Sequence, residues 1–392
     1  LALDTLSPSD PLCVGIIGGG QLGKMIAHEA KRMSLKVVIL DPTKDCPASS
    51  FADDQIVADF KDENAIRKLS SMSDIVTYEI ELANSAALKE LESQKYPIFP
   101  LPHVLKIVQN KYRQKLFLRE NGIPVPEFAL VTSESQLEGL CEEYGYPAML
   151  KACEDSYDGR GNFIIASKDD ISRSLQYFAG KECMLEKFVA FSKEISIMVA
   201  RNIQGQIESF PVAENIHRNS ILDTTIVPAR ISSSVQGQAK RIATKTASAF
   251  GSPGIFGVEM FVTRDNKVMV NEIAPRPHNS GHYANEACSI SQFEQHLRAV
   301  MGLPLVKPEL LSPAVMVNIL GPDGIDGPYN IQGVSKICAV PGVKLYIYGK
   351  KISKYRRKLG HITATASSLG KAIERAKAAR EMIKVDRAIG GR

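Results

Sequence analysis

No apolar run in this chain approaches the ~18 residues that a membrane-spanning helix needs, so a helical membrane protein is not expected. Cys-x-x-Cys pairs are also missing. The seven cysteines, at 13, 46, 141, 153, 183, 288 and 338, are odd in number and widely spaced. That pattern argues against a disulfide framework or a cysteine zinc site and predicts buried free thiols in a reducing, cytoplasmic setting. Charge of one sign does not dominate: the net charge is +5 and the basic residues are dispersed. Nucleic acid is therefore not an expected partner, while small anionic substrates are compatible. Residues 1–11 lack a basic stretch followed by an apolar core, and no signal peptide is expected there. Internal repeats and low-complexity tracts are absent as well. What remains is a 392-residue chain, 44% hydrophobic and 23% charged, an ordinary globular composition with room for two or three domains.

Residues 12–17 read as a short buried strand, followed by Gly18-Gly19-Gly20-Gln21-Leu22-Gly23, a helix over 24–33 and a second strand over 36–41. This is a βαβ unit with Gly-x-Gly-x-x-Gly at its first turn. Glycines let backbone approach a phosphate, and the helix start offers free N–H groups. Asp41 stands where a ribose-binding acid stands in a dinucleotide fold, so an NAD-dependent dehydrogenase is one reading of this stretch and a ligand-free tight turn is another. A strand near 56–57, a helix over 62–72 and a strand over 74–81 continue the pattern. Glu79 at the carboxyl end of that strand can accept sugar hydroxyls, and Glu81 is either similar or a solvated acid.

The middle of the chain changes character. A polar helix is expected over 106–121, with Lys111 near its middle. Helix 133–143 precedes a strand over 146–151 that ends in Lys151. The glycine-containing turn 156–162 comes next, then strands over 163–166 and 183–189. Such a loop can cover phosphates with its N–H groups, or be a plain surface hairpin. Two lysines on separate elements and a flexible loop suggest a lid over a nucleotide. Glu194 opens a strand over 195–200. Residues 214–218 read as a polar stretch, in which a lone His217 is more often structural than a ligand.

After a helix over 234–250 comes a hairpin, a strand over 257–262 and a second one starting at 268, joined by the polar turn 263–267. Glu259 and Glu272 lie on its two strands. Paired about that turn, their carboxylates share one face, where each raises the pKa of the other. A hard divalent cation relieves that repulsion, and Mg²⁺ is commonly held by one or two carboxylates plus substrate phosphates. Asn271 adds a neutral oxygen. A solvated hairpin is the alternative, weakened by Arg276, His278, Asn279 and His282 crowding the next residues. The C-terminal part reads as short strands over 315–319, 344–348 and 361–364 and a helix over 368–382. A basic cluster at Lys354, Arg356, Arg357 and Lys358 is either a solvated face or a phosphate contact.

Together these segments resemble the ATP-grasp superfamily and, within it, the N5-carboxyaminoimidazole ribonucleotide synthetase family. The resemblance rests on Gly18-Gly19-Gly20-Gln21-Leu22-Gly23, Thr77-Tyr78-Glu79-Ile80-Glu81, Tyr157-Asp158-Gly159-Arg160-Gly161, Asn271-Glu272-Ile273-Ala274-Pro275-Arg276-Pro277-His278-Asn279-Ser280-Gly281-His282, Ser289-Ile290-Ser291-Gln292-Phe293-Glu294 and Arg357-Lys358-Leu359-Gly360-His361. The run from Ala274 to His282 is the most specific of these. The implied fold is mixed α/β and α+β: a Rossmann-like parallel sheet ahead of the ATP-grasp unit (1–110), the ATP-grasp domain with its lid (111–303, lid about 120–190), and a small β-rich C-terminal subdomain (304–392).

Residue by residue, the resemblance implies that Lys111 and Lys151 bind ATP phosphates under a loop comprising Ser156, Tyr157, Asp158, Gly159, Arg160, Gly161 and Asn162. Glu186, Lys187, Phe188 and Val189 form the adenine hinge, Glu194 takes the ribose hydroxyls, and His217 approaches the nucleotide. Glu259 and Glu272 hold Mg²⁺, with Asn271 beside them. Gly20, Gln21, Leu22 and Glu79 bind aminoimidazole ribonucleotide in place of a dinucleotide, while Arg276, His278, Asn279, Arg357 and Lys358 line the substrate and bicarbonate site. The implied reaction is ATP-dependent carboxylation of that ribonucleotide through carboxyphosphate, by a cytoplasmic homodimer in purine synthesis. Arg160 and Lys358 are expected to hold bicarbonate, and His278 or Asp158 to take the proton of the attacking amine. Other ATP-grasp ligases, such as the formate-using glycinamide ribonucleotide enzyme or a biotin carboxylase, are alternatives, as is a non-enzymatic nucleotide-binding module. The chain departs from the family at Asp155-Ser156, where two glycines are frequent, at Asn162 for a common Gln, and at Lys24 for a common Arg.

Overall fold

The computed structural model describes residues 5, 7–154 and 161–388. The first sheet is parallel, built from β1 (Cys13–Ile17), β2 (Lys36–Leu40), β3 (Asp54–Ile56) and β4 (Ile75–Tyr78) in the order β3-β2-β1-β4. Each residue of β1 is buried, as both faces of a parallel sheet must be once helices cover them. The covering helices include α1 (Gln21–Arg32), α2 (Glu63–Ser71) and α3 (Ser85–Ser93). Ile98 adds an isolated parallel bridge to Val76.

One expected helix is two. The 106–121 segment divides into α4 (Pro102–Val108) and α5 (Lys111–Glu120). Asn110, 1% exposed, makes the break, its side chain accepting the Arg113 N–H as an N-cap. Lys111 thus opens a helix instead of sitting mid-helix, and its ammonium lies at the start of a new direction.

Next comes a four-stranded antiparallel sheet of β5 (Phe128–Val131), β6 (Ala148–Ala152), β7 (Asn162–Ile165) and β8 (Cys183–Lys187), ordered β5-β8-β6-β7, with α6 (Glu134–Tyr144) and α7 (Ile171–Tyr177). Beyond it lies a nine-stranded sheet. Its strands are β9 (Phe191–Arg201), β10 (Ile207–Ser209), β11 (Ala213–Arg218), β12 (Ile221–Val227), β13 (Gly254–Thr263), β14 (Val268–Ala274), β15 (Ala314–Leu320), β17 (Val343–Ile347) and β18 (Lys358–Thr365). The order is β14-β13-β9-β11-β12-β15-β18-β17, with β10 on β9. A small ribbon pairs β16 (Tyr329–Gln332) with β19 (Lys384–Arg387). The remaining helices are α8 (Ser233–Phe250), α9 (Ala284–Ala287), α10 (Gln292–Val300), α11 (Val334–Cys338) and α12 (Leu369–Met382).

The large sheet uses strand alternation as the sequence pattern requires. Ile195, Ile197, Val258 and Met260 point with Val235, Ala239 and Ala243 of α8 into one core. The opposite face is left for polar groups at one end. The 214–218 stretch is no loop: it forms β11, and with the unforeseen β12 it links the hairpin sheet to the C-terminal strands. Helix α10 closes back on the first sheet, where Phe293, Leu297 and Val300 share a core with Leu22, Ile26 and Val37. Six cysteines are buried free thiols as expected; Cys338 differs in being exposed, at the end of the short α11. Among the described residues no helix is long and apolar enough to cross a membrane.

Candidate active site

The hairpin β13–β14 pairs Glu259 directly with Glu272, and the register then slips by one residue. Asn271 is the extra residue of that bulge. A bulge sets two residues of one strand opposite one of its partner, which re-aims their side chains. So Asn271 and Glu272 both stand across from Glu259. On the far side of β13, Glu259 pairs with Ser196 of β9. Glu194 lies two residues along β9 and so faces the same way. Its carboxylate Oε2 is 2.7 Å from His217 Nδ1 on β11. Four neighbouring strands thus present Glu272, Glu259, Glu194 and His217 on one face.

The electrostatics of this row are unbalanced. Burial, reinforced by Glu272 and Glu194, pushes Glu259 up to about 7 even though His217 opposes the shift. For His217 burial works against the charged ring, but Glu194 outweighs it and raises the pKa. The nearest partner of Glu272 is Lys111 Nζ at 3.5 Å, and that of Glu259 is His278 Nε2 at 3.6 Å. Burial and the charges of Arg276 and Lys358 keep His278 well below its ordinary value, so it contributes no full positive charge. Among the described residues no three His, Cys, Asp or Glu side chains gather as a ready-made metal centre. Any cation here relies on the two carboxylates and on oxygens brought by a ligand.

His278 is held in one tautomer. The Ser280 N–H donates to its Nδ1 at 3.3 Å, and the Ser280 hydroxyl is 2.8 Å from the same nitrogen. Ser196 Oγ donates to Ser280 Oγ at 2.8 Å. Nδ1 is therefore an acceptor, and the ring hydrogen sits on Nε2, facing Glu259. Gln292 fixes the backbone, accepting the His278 N–H at 2.9 Å and donating to its carbonyl at 2.9 Å. Next in the chain, Asn279 is buried, and neither its amide oxygen nor its nitrogen has a hydrogen-bond partner among the described residues. Buried amides are rarely left so.

The glycine turn is occupied by acids rather than open to a phosphate. Gly19 N–H donates to Asp41 Oδ2 at 2.8 Å and Gly20 N–H to Glu79 Oε1 at 2.7 Å. A Cβ on Gly18 would lie 2.6 Å from the Glu79 side chain, and one on Gly20 2.7 Å from its carboxylate. The glycines make room for Glu79. With two turn N–H groups taken by carboxylates, a pyrophosphate would meet like charge there. The dinucleotide reading of Asp41 therefore gives way to a structural one: Asp41 pins the turn and also accepts the Thr43 N–H at 2.8 Å. Burial raises Glu79 to about 7, although Arg276 and the Gly20 N–H pull it down. Arg276 is bound to Glu81 at 2.8 Å, so Glu81 is a partner and not a solvated acid.

In the four-stranded antiparallel sheet, Lys151 and Glu186 meet at 2.6 Å and Asn162 pairs directly with Lys151 across β6–β7. Gly161 accepts the Ala152 N–H through its carbonyl at 2.9 Å. Lys187 turns its ammonium outward to Glu127 at 2.6 Å, and Phe188 is exposed just past β8 with Val189 beside it. Gln21 opens α1, and the Leu22 side chain is buried in the core between α1 and the first sheet. Lys358 begins β18, and its charge is felt at Glu259, His217 and His278. Arg357, just before β18, points elsewhere, donating to the Ile352 carbonyl at 2.9 Å. Ser156, Tyr157, Asp158, Gly159 and Arg160 lie outside the described residues. Nothing in the sequence singled out Gln114, Lys115 and Ser196, and no role fell to Ser280 and Gln292, which stand within the motifs of the resemblance. All are buried and polar, a class whose burial only the fold reveals.

Family models match three consecutive stretches: a ribonucleotide synthetase preATP-grasp domain over 12–109, an ATP-grasp domain over 116–293 and a phosphoribosylaminoimidazole carboxylase C-terminal domain over 314–375. The N5-carboxyaminoimidazole ribonucleotide synthase of Bacillus subtilis is 44% identical over 89% of this chain and 90% of its own length. The crystal structure of N5-carboxyaminoimidazole ribonucleotide synthetase from Thermotoga maritima superposes with a TM-score of 0.88 at 45% identity, covering 96% of this chain and 99% of that one. The Aspergillus clavatus synthase, solved with ADP and aminoimidazole ribonucleotide, gives 0.88 at 34% identity, covering 95% and 98%. Fungal relatives can be longer: the chain spans 64% of the Candida glabrata phosphoribosylaminoimidazole carboxylase. This chain thus belongs to the N5-carboxyaminoimidazole ribonucleotide synthase family of ATP-grasp ligases.

Proposed function

We propose that this chain carboxylates 5-aminoimidazole ribonucleotide to its N5-carboxy derivative, consuming ATP and bicarbonate, in purine biosynthesis. One observation carries the reading. The segment from Arg276 to Asn279 bridges two clusters of acids: Arg276 reaches the Glu79–Glu81 side, and His278 reaches Glu259. An acceptor held at the glycine turn then meets a phosphoryl donor held at the hairpin. The Aspergillus clavatus relative binds ADP and aminoimidazole ribonucleotide, which supports these two ligand classes.

Glu259 and Glu272, with Asn271 beside them, are the residues that would hold Mg²⁺. Their mutual repulsion and the raised pKa of Glu259 fit such a cation. When bound, it supplies charge neutralisation of the triphosphate. Lys111 and Lys151 add positive charge for the phosphates, while Glu194, with His217 at its back, accepts ribose hydroxyls. Phosphorylated bicarbonate, carboxyphosphate, breaks its C–O bond to phosphate and gives CO₂ and inorganic phosphate beside the exocyclic amine. Attack of the amine on the CO₂ carbon, with loss of one amine proton, gives the carbamate. Positioning and charge neutralisation supply most of the rate of the phosphoryl step. Lys358 and Arg160 steady the bicarbonate.

His278 has a narrower role than a proton acceptor. Its Nε2 already bears hydrogen, so it donates to an oxygen of the reacting centre, and Asp158 is the candidate that takes the amine proton. Asn279 supplies its free amide to the ribonucleotide. On the family resemblance, the working unit is a homodimer in the cytoplasm. Bicarbonate-dependent ADP release with and without aminoimidazole ribonucleotide tests the reading. Release that requires both and yields the carbamate is expected. Release that depends on formate or another amine acceptor overturns it.

A further inference from the structure

Lys115 has no place in the chemistry above, yet its side chain is 2% exposed. It lies one turn after Lys111 on α5, where positions 111, 114, 115 and 118 share a face. That face is fastened along β14. Lys111 reaches Glu272; Gln114 donates to the Ile273 carbonyl at 3.1 Å and accepts the Ile273 N–H at 3.0 Å; Lys115 donates to the Val270 carbonyl at 3.1 Å. Lys115 then crosses to the four-stranded antiparallel sheet, where its Nζ is 2.8 Å from Glu186 Oε2. Lys151 Nζ takes the other oxygen, Oε1, at 2.6 Å. The result is a row, Lys115–Glu186–Lys151, with side chains 2%, 4% and 9% exposed.

Charge counting gives this row a meaning. A closed Lys151–Glu186 pair is neutral and attracts no polyphosphate. Drawing Lys151 away from it would strand a bare carboxylate in the interior, which is costly. With a second ammonium on Oε2, the carboxylate stays compensated while Lys151 turns to a phosphate, and the row carries one net positive charge. We propose that Lys115 is a positioning residue for the nucleotide: it neutralises Glu186 and so frees the charge of Lys151 for the phosphates of ATP. The proposal rests on the reading of Lys151 as a phosphate ligand. Burial brings Lys115 down to about 8, still mostly protonated at neutral pH, while the two lysines overcome burial and hold Glu186 well below its usual range.

The test is calorimetric titration of the full chain with ADP and, separately, AMP. The ratio of the two affinities isolates the outer phosphate. Lys115→Met is expected to weaken ADP by about tenfold, the size of one charge-assisted hydrogen bond, with AMP changed far less. Adding Glu186→Gln to Lys115→Met should restore the ADP-to-AMP ratio, because Lys151 no longer has a carboxylate to satisfy. A double variant weaker for ADP than the single one would overturn the proposal and show a packing role. If Lys115→Met does not fold, Glu186→Gln alone decides: the charge count requires its ADP-to-AMP ratio to rise above wild type, and an unchanged or lower ratio overturns the proposal. Lys151→Met separates the two levels. If it binds ADP normally, the phosphate reading and the proposal fail together; if it binds ADP weakly while Lys115→Met is silent, only the proposal fails.

Discussion

Two pairs of acids, in two parts of the molecule, are handled in opposite ways. Asp41 and Glu79 sit at the glycine turn, where each accepts a backbone N–H and Arg276 lies close to Glu79. Glu259 and Glu272 face each other across a bulged hairpin, with a neutral imidazole 3.6 Å from one and Lys111 3.5 Å from the other. The first pair is tied to the fold's own N–H groups, although burial still holds Glu79 at about 7, and it can shape a recognition surface for a neutral sugar. The second is left short of positive charge, which a bound divalent cation would supply. The contrast teaches that acids alone do not mark a metal site; what marks it is the missing donors.

The difference can be broken in order of size. Glu272→Ala should abolish ATP turnover in a coupled ADP-release assay, since one carboxylate cannot replace two; activity within tenfold of wild type would contradict the metal assignment. Lys358→Ala should lower the rate by about 10²–10³, the scale of one oxyanion-type donor. A wild-type rate would leave that lysine a surface residue.

Glu79 offers a pH test. Its folded-state pKa, about 7, lies above its ordinary value because burial disfavours the charge. The folded chain therefore keeps that proton longer than the unfolded one. The resulting cost is absent below the unfolded pKa, grows as pH rises toward 7 and is constant above it. Glu79→Gln should be more stable than wild type at pH 8, by up to about 3 kcal/mol at roughly 1.4 kcal/mol per unit, and equal to it near pH 4. Urea melts at both pH values check this, and an equal gap at both would contradict it. Gly20→Ala is the mildest change: its Cβ crowds the Glu79 carboxylate at 2.7 Å, and KM for the ribonucleotide should rise several-fold with KM for ATP unchanged.

Much of this was legible before any coordinates. The 257–282 run specified its own hairpin because alternation and a polar turn are local signals. The βαβ opening was equally plain. The meaning of its glycines was not, since the acids that fill the turn come from residue 41 and residue 79, brought there only by parallel pairing. Strand β11 read only as a polar stretch because Glu214, Asn215 and His217 face groups contributed by other strands. The break at Asn110 hid within a run of helix-forming residues, and only its cap geometry gives it away. Lys115 looked like any helical surface lysine. Its burial depends on Glu186 and Val270, 71 and 155 positions further along the chain, and nothing local foretells that.

Anomalous diffraction from crystals grown with Mn²⁺ and ADP tests the central claim most directly. The account predicts a manganese peak within about 2.3 Å of carboxylate oxygens from both Glu259 and Glu272, bridged to a nucleotide phosphate, the range of hard-cation to oxygen bonds. A peak bound instead at Asp41 and Glu79, or at neither pair, would contradict it.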